Sequence, residues 1–279
     1  NQVFDLSLDP ELYNILVERI KGNWEYMLPV HFGEVVVFGD IHGKKALCNW
    51  FKTYPYSRNK EYYFLGDYFD RGNDIANAFD LLYDLSKESN VHLIEGNHEK
   101  YLRMFAFGDQ VKFEEFNETT AKALRNVPKE KIREFLSKMR ICYDFSTMSS
   151  NQRYSGTHNT FYLNHGGVPK HHKTLSSGFD LVKGAGDFTK IEDVAYAWEH
   201  EYNDIIQICG HRGTNKRVNT QEIYEHKLND SFYCLENEQY IDGDTSALAY
   251  LPVMRIHPEK TEYISSQIDE NGIYVECVY

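Results

Sequence analysis

Three short apolar runs, each ending in glycine and a polar residue, constrain this chain more than any other feature. Residues 35–43 read VVVFGDIHG, residues 62–72 read YYFLGDYFDRG, and residues 91–99 read VHLIEGNHE. Asp40 and Asp67 are 67 − 40 = 27 residues apart, and Asn97 follows 97 − 67 = 30 residues later. Helical periodicity follows the first two runs: Ala46, Leu47, Trp50 and Phe51 after the first, then Ile75, Ala78, Phe79, Leu82 and Leu85 after the second. The third run continues into a helix at KYLRMFAF, residues 100–107. Strand–loop–helix units in series predict an α/β core with parallel pairing. Polar groups in such cores collect at the C-terminal ends of the strands, where all three clusters fall.

The remainder of the 279 residues fits around this core. Residues 9–20 read as a helix, with Asp9 as cap, Pro10 in the first turn and Leu12, Ile15, Leu16 and Ile20 on one face. Residues 109–140 read as mainly helical, with Pro128 as a break. FYLNHGG (161–167) and IIQICGH (205–211) are two further strands ending in Gly and His. From residue 231, SFYCLE, SALAYLPV, EYISS and GIYVECVY alternate apolar and polar residues and read as antiparallel strands. No repeat or linker breaks the pattern, so the expectation is one domain, 1–279, with a helical insertion at about 109–140.

Charge and cysteine usage narrow the function classes. Lys plus Arg is 30 and Asp plus Glu is 42, a net charge of 30 − 42 = −12. An acidic chain is a poor general binder of duplex nucleic acid, and its acids either face water or hold something positive. The cysteines, at 48, 142, 209, 234 and 277, form no CxxC pair and are odd in number. That favours reduced thiols and a cytoplasmic setting. The apolar runs are too short to span a bilayer. The start carries no signal-peptide pattern, and beginning at Asn1 leaves room for a preceding segment.

Alternate residues of an extended chain point the same way, so Asp40 and His42 can face one point, with Gly39 and Gly43 permitting a tight turn. Alone, that pair is a modest signal. Together, the five strand ends supply Asp40, His42, Asp67, Asn97, His165 and His211. This mixed oxygen and nitrogen set suits Mn²⁺, Fe or Zn²⁺ rather than Ca²⁺. Six such groups converging without a metal would be costly to bury.

The ordered set GDIHG, GDYFDRG, GNHE, HGG and GH, spread over roughly 35–211, resembles the calcineurin-like metallophosphoesterases. Its wording is most similar to the phosphoprotein phosphatase branch, which includes bacterial and phage serine/threonine phosphatases and diadenosine tetraphosphatases. The resemblance implies two mixed β-sheets packed as a sandwich, flanked by helices. It implies a pair of divalent ions: Asp40 and His42 on the first, Asp67 bridging both, and Asn97, His165 and His211 on the second. It implies hydrolysis of phosphate monoesters by attack of a metal-bound hydroxide, the ions clamping attacking and leaving oxygens. His98 resembles the family's acid and Asp70 the carboxylate that orients it. Arg71 offers a planar fork for phosphate oxygens. A surface ion pair is the bland alternative for Asp70 and Arg71.

The match has departures. Relatives carry a second phosphate-binding arginine beyond the fourth motif; here AYAWEHEY (195–202) has Glu199 and no arginine. Arg212 or Arg217, in GHRGTNKR, would substitute, with a weaker phosphate clamp or a different substrate geometry as the consequence. His171 and His172 either touch substrate or sit in a solvated loop. The other histidines, 31, 92, 158, 200, 226 and 257, have no motif around them and read as structural or exposed. DGDT (242–245) is a site-lining loop or, more simply, a turn. Seven basic residues (Lys122, Arg125, Lys129, Lys131, Arg133, Lys138, Arg140) crowd residues 121–140. They form either a cap that recruits an anion or a solvated helical face. The scattered aromatics read as core rather than a base-stacking platform.

The leading expectation is therefore a dinuclear-metal-dependent phosphatase, acting on a phosphorylated protein as serine/threonine phosphatases do. The alternative is a nucleotide-directed phosphoesterase, cleaving diadenosine tetraphosphate or trimming phosphate from RNA ends. An inactive scaffold is the third reading, and the presence of every motif ligand and of His98 weighs against it.

Overall fold

The computed structural model describes residues 33–147, 159–171, 178–184, 190–202, 204–212, 217–218, 223–224, 226–236, 250–257, 262–269, 271–272 and 274–278. The expected helix at 9–20, His31, His158, His172, the 242–245 turn and the Arg217 side chain lie outside these residues.

Strand β1 (Glu34–Phe38) is buried along its whole length, which is why its apolar residues run on without alternation. It pairs in parallel with β2 (Lys60–Phe64), which pairs in parallel with β3 (Val91–Ile94). Helices α1 (Lys45–Thr53) and α2 (Ile75–Leu85) make the two crossovers. The short β4 (Met139–Arg140) extends the parallel set. On the other side of β1, β12 (Leu251–His257), β13 (Glu262–Ile268) and β14 (Tyr274–Val278) add antiparallel strands to complete a seven-stranded sheet.

A second sheet has the order β10-β11-β7-β6-β5. Its strands are β5 (Cys142–Thr147), β6 (Asn159–Asn164), β7 (Ile205–Cys209), β10 (Lys227–Asn229) and β11 (Phe232–Cys234). A small ladder, β8 (Arg217–Val218) with β9 (Ile223–Tyr224), stands apart. Val35, Val37, Tyr63 and Ile94 of the first sheet share one apolar cluster with Phe161, Leu163, Ile208 and Tyr233 of the second. The two sheets are thus packed face to face. The alternate residues Val36, Phe38, Tyr62 and Phe64 turn the other way and join the helical layer, as period-two side chains must. Tyr162, Cys209 and Phe232 do the same on the second sheet, under Trp198 of α8 (Ile191–Glu201) and Leu181 of α7 (Gly178–Lys183). This is the flanked sandwich expected from the motifs.

One expectation needs correction. SFYCLE is not purely antiparallel: β11 pairs antiparallel with β10 but parallel with β7. Alternation reports which face a residue occupies and carries no information on strand direction. The segment 109–140 is mainly helical, as expected. Its helices are α4 (Glu114–Glu118), α5 (Thr120–Ala123) and α6 (Lys129–Ser137), following α3 (Glu99–Phe107), and Met139 and Arg140 have joined the sheet. Pro128 breaks the helical run as expected and caps the start of α6.

His226 ties the sheets together. It is buried; its Nδ1 donates to the Cys234 carbonyl at 2.9 Å, and its Nε2 accepts from the Gln267 amide at 3.2 Å. Only the neutral ring satisfies both bonds. Burial accordingly lowers its pKa from 6.5 to about 4. The unfolded chain takes up a proton first as the pH falls, so this contribution is complete above about pH 6.5 and is lost toward pH 4. The expected loss is on the order of 3 kcal/mol. Urea titrations at pH 7 and pH 5 check it: the fall in stability should be smaller in His226→Gln, and an identical fall in both proteins would refute it.

Candidate metal centre

The loops after β1, β2, β3, β6 and β7 meet at one edge of the sandwich, and backbone bonds lace them together. Ile41 and His42 N–H both donate to the Asp67 carbonyl, at 3.2 and 2.8 Å, and Gly210 N–H donates to the His165 carbonyl at 3.0 Å. Five non-glycine residues have positive φ among the described residues: His42, Asp67, Asp70, Arg71 and His211. All five belong to the motif set. Each such residue costs roughly 1–3 kcal/mol and persists only where its surroundings over-determine it. The extended-chain argument for Asp40 and His42 is therefore corrected. His42, at φ 48°, lies in a left-handed turn, and the turn rather than strand alternation aims its ring.

The close approach leaves no room beside the acids. A Cβ at Gly210 would fall 2.1 Å from Asp40 Oδ1, and one at Gly96 would fall 2.3 Å from Asp67 Oδ1. Within this space, Asp40, His42 and Asp67 form one group able to hold a cation, and Asp67, His165 and His211 form a second. Asp67 belongs to both. Its Oδ2 lies 4.0 Å from His42 Nε2, and its Oδ1 lies 3.4 Å from His165 Nε2. Asn97 Oδ1 is 3.0 Å from the same His165 nitrogen.

The donor set fits divalent cations on its own chemistry. His42 Nδ1 donates to the Phe69 carbonyl at 3.1 Å, and His165 Nδ1 donates to the Leu65 carbonyl at 2.9 Å. Each bond fixes the tautomer that leaves Nε2 with its lone pair toward Asp67. At His165 that lone pair faces oxygens of Asp67 and Asn97, an arrangement that needs a positive charge among the three. Burial holds His42 down to about 3 and His211 down to about 4, so both rings are neutral and able to ligate. Burial and the neighbouring acids Glu236 and Asp67 push Asp40 well above the usual carboxylate range. Carboxylates packed this closely call for a cation.

Beside Asp67 stands a second constellation. His98 Nδ1 donates to Asp70 Oδ2 at 2.6 Å, and His98 Nε2 lies 3.9 Å from Asp67 Oδ2. Burial alone would lower the His98 pKa, but the Asp70 bond and the Asp67 charge raise it. Arg71 Nη2 is 3.4 Å from His98 Nε2, and Arg71 Nε donates to Glu115 at 3.0 Å.

Several residues here carried no role in the motif reading. Glu99, the last letter of GNHE, is buried and accepts N–H bonds from Asp67, Tyr68 and Gly96 at 3.0, 3.0 and 2.8 Å. It pins the second and third loops together, and burial with the Asp67 charge raises it to about 7. Glu236 hydrogen-bonds Asp40, and the buried Lys44 feels the charges of both. Only the pairing of β11 beside β7 brings Glu236 here, so no local signal announced it. Buried Asn164 and Gln207 bond each other at 2.8 Å and hold the backbone of Gly167 and Val168, shaping the turn at His165.

Other expected residues have partners of their own. The Arg212 guanidinium packs against Gly184, where a Cβ would lie 2.5 Å from Nη2. His171 is neither solvated nor placed among these ligands: it is buried, bonded to Asp144 at 3.0 Å and packed on Tyr162. In the basic segment, Lys122, Lys131 and Arg133 pair with Glu118, Asp80 and Glu130. Among the described residues, Cys48, Cys142, Cys209 and Cys234 are not in disulfides. No helix among the described residues is long and apolar enough to cross a membrane.

Acid- and histidine-bearing loops gathered at one edge of a double-sheet sandwich define a metallophosphoesterase. A family model described as calcineurin-like phosphoesterase matches residues 33–243, and the chain belongs to that family. Family membership implies divalent metal ions. The chain is 30% identical over 148 residues to the asymmetrical bis(5′-nucleosyl)-tetraphosphatase PrpE of Oceanobacillus iheyensis, covering 50% of this chain and 58% of the relative. It is 37% identical over 84 residues to a probable serine/threonine-protein phosphatase of Encephalitozoon cuniculi, covering 29% of this chain and 18% of the relative. The chain thus spans under two thirds of either relative. Among solved structures, a cold-active protein tyrosine phosphatase is similar in fold, with a TM-score of 0.53 at 15% identity over 90% of this chain and 80% of that one.

Proposed function

We propose that this chain is a dinuclear-metal-dependent phosphomonoesterase of the serine/threonine phosphatase type. The observation that carries the reading is Asp67, shared by two cation-holding groups and flanked by the 2.6 Å His98–Asp70 pair. Asp40, His42 and Asp67 would hold one divalent ion; Asp67, Asn97, His165 and His211 would hold the other, with Mn²⁺ the first choice and Fe or Zn²⁺ compatible. When bound, the ions supply Lewis-acid activation of water and of phosphoryl oxygens. His98, kept charged by Asp70 and Asp67, gives its proton to the departing alkoxide. Arg71, its Nε donating to Glu115, offers its guanidinium to phosphate oxygens. Arg212, whose guanidinium lies beside Gly184, is a further candidate for phosphate binding.

A nucleotide-directed reading is supported by the likeness to a bis(5′-nucleosyl)-tetraphosphatase over half of this chain. Under it the same residues act on a phosphoanhydride or an RNA-end phosphate. The experiment compares phosphoserine peptide, diadenosine tetraphosphate and RNA bearing a 3′-phosphate or a 2′,3′-cyclic phosphate, each with Mn²⁺. Preference for the peptide, abolished by chelator, is the expected result. Preference for the tetraphosphate or RNA would transfer the assignment to the second reading, and turnover of none would leave a scaffold.

A further inference from the structure

The basic residues of the helical insertion read as a cap or as a solvated face; its inward face holds something else. Thr120 is fully buried at the start of α5. Its Oγ1 accepts the Asp70 N–H at 2.9 Å, and its hydroxyl donates to Asp70 Oδ1. A single side chain thus bonds both the backbone and the carboxyl of Asp70, from 120 − 70 = 50 residues away. Asp70 needs that support, since its backbone sits at φ 74°. With Oδ1 engaged by the hydroxyl, the carboxylate plane is set, and Oδ2 is the oxygen that meets His98 Nδ1 at 2.6 Å. Five residues earlier in the insertion, Glu115 holds Arg71 of the same left-handed turn.

We propose that Thr120 is a positioning residue for proton delivery. It locks the Asp70 carboxylate in the rotamer that aims the His98 ring, making the insertion part of the acid apparatus. This rests on the role proposed for His98. A buried hydroxyl bonded to a carboxylate is worth more than an average hydrogen bond, and its loss frees a rotation in a pair that must be held to within about 10–20°.

The test separates protonation from everything else by the leaving group. 2,4-Dinitrophenyl phosphate expels a phenolate that needs no proton, whereas phenyl phosphate expels one that does. With Mn²⁺ held constant, Thr120→Val should lower kcat on phenyl phosphate about tenfold, and on the dinitrophenyl ester less than about threefold. Thr120→Ser, which keeps the hydroxyl, should restore the phenyl rate to within about twofold. If Thr120→Val does not fold, Thr120→Ala is read the same way. Equal losses on both esters, or none on either, overturn the inference. His98→Ala in the same assay distinguishes the two claims. If it slows both esters equally, the acid assignment fails and takes this inference with it. If it is selective while the Thr120 variants are not, only the positioning role is lost.

Discussion

Asp67→Asn lowers turnover of p-nitrophenyl phosphate by roughly 10³-fold or more and leaves the protein unable to retain two metal ions. The size of the effect follows from the position of one carboxylate. Asp67 Oδ2 faces His42 at 4.0 Å and His98 at 3.9 Å, while Oδ1 faces His165 at 3.4 Å and accepts the His98 N–H at 2.9 Å. Asparagine keeps the volume, tolerates the left-handed backbone and can still accept that N–H. It removes the charge and one of the two oxygens, so the two groups no longer share a carboxylate. Elemental analysis after dialysis from Mn²⁺, with an unfolding midpoint to show that the fold survives, checks the result. Two ions retained and activity within about tenfold of wild type would remove Asp67 from the bridging position.

His98→Ala has the opposite signature. Metal content stays at the wild-type level, because the ring sits beside the two donor groups without belonging to either. Activity on a phosphoserine peptide falls by about 10²–10³-fold, the range for removing a general acid. The combination is informative because truncating a ligand would lower both quantities. Metal lost together with activity would make His98 a ligand, and activity retained would leave the 2.6 Å contact with Asp70 without a catalytic purpose.

The two predictions rest on residues of very different visibility in the sequence. Asp67 and His98 stand in runs of a few residues whose wording is specific. That is because the turn following a buried strand must satisfy backbone geometry, packing and donor chemistry within a handful of positions. Thr120, Glu115 and Glu236 stand in ordinary stretches. Thr120 sits in ETTAKAL, which reads as an unremarked surface helix, yet its hydroxyl is buried against Asp70. A hydroxyl that supports a residue 50 positions away leaves no local pattern, because the bond depends only on where two segments meet. The basic residues of the same insertion left two readings open, a cap or a solvated face. Glu130, which pairs with Arg133, is three residues away in the same helix, while Asp80, which pairs with Lys131, becomes visible only when α2 and α6 are placed.

The order of strand and loop, the burial of β1 and the residue types offered at each strand end were determined by the sequence itself, because hydrophobic periodicity and turn chemistry are local properties. The tertiary structure alone decided how those groups aim. It put His42 and Asp67 in left-handed turns, ran β11 parallel to β7 so that Glu236 reaches Asp40, and closed the insertion over Asp70. Side-chain direction at such a site is set by contacts between segments far apart in the chain. Their cost and their geometry exist only once both sheets and the helices between them have packed.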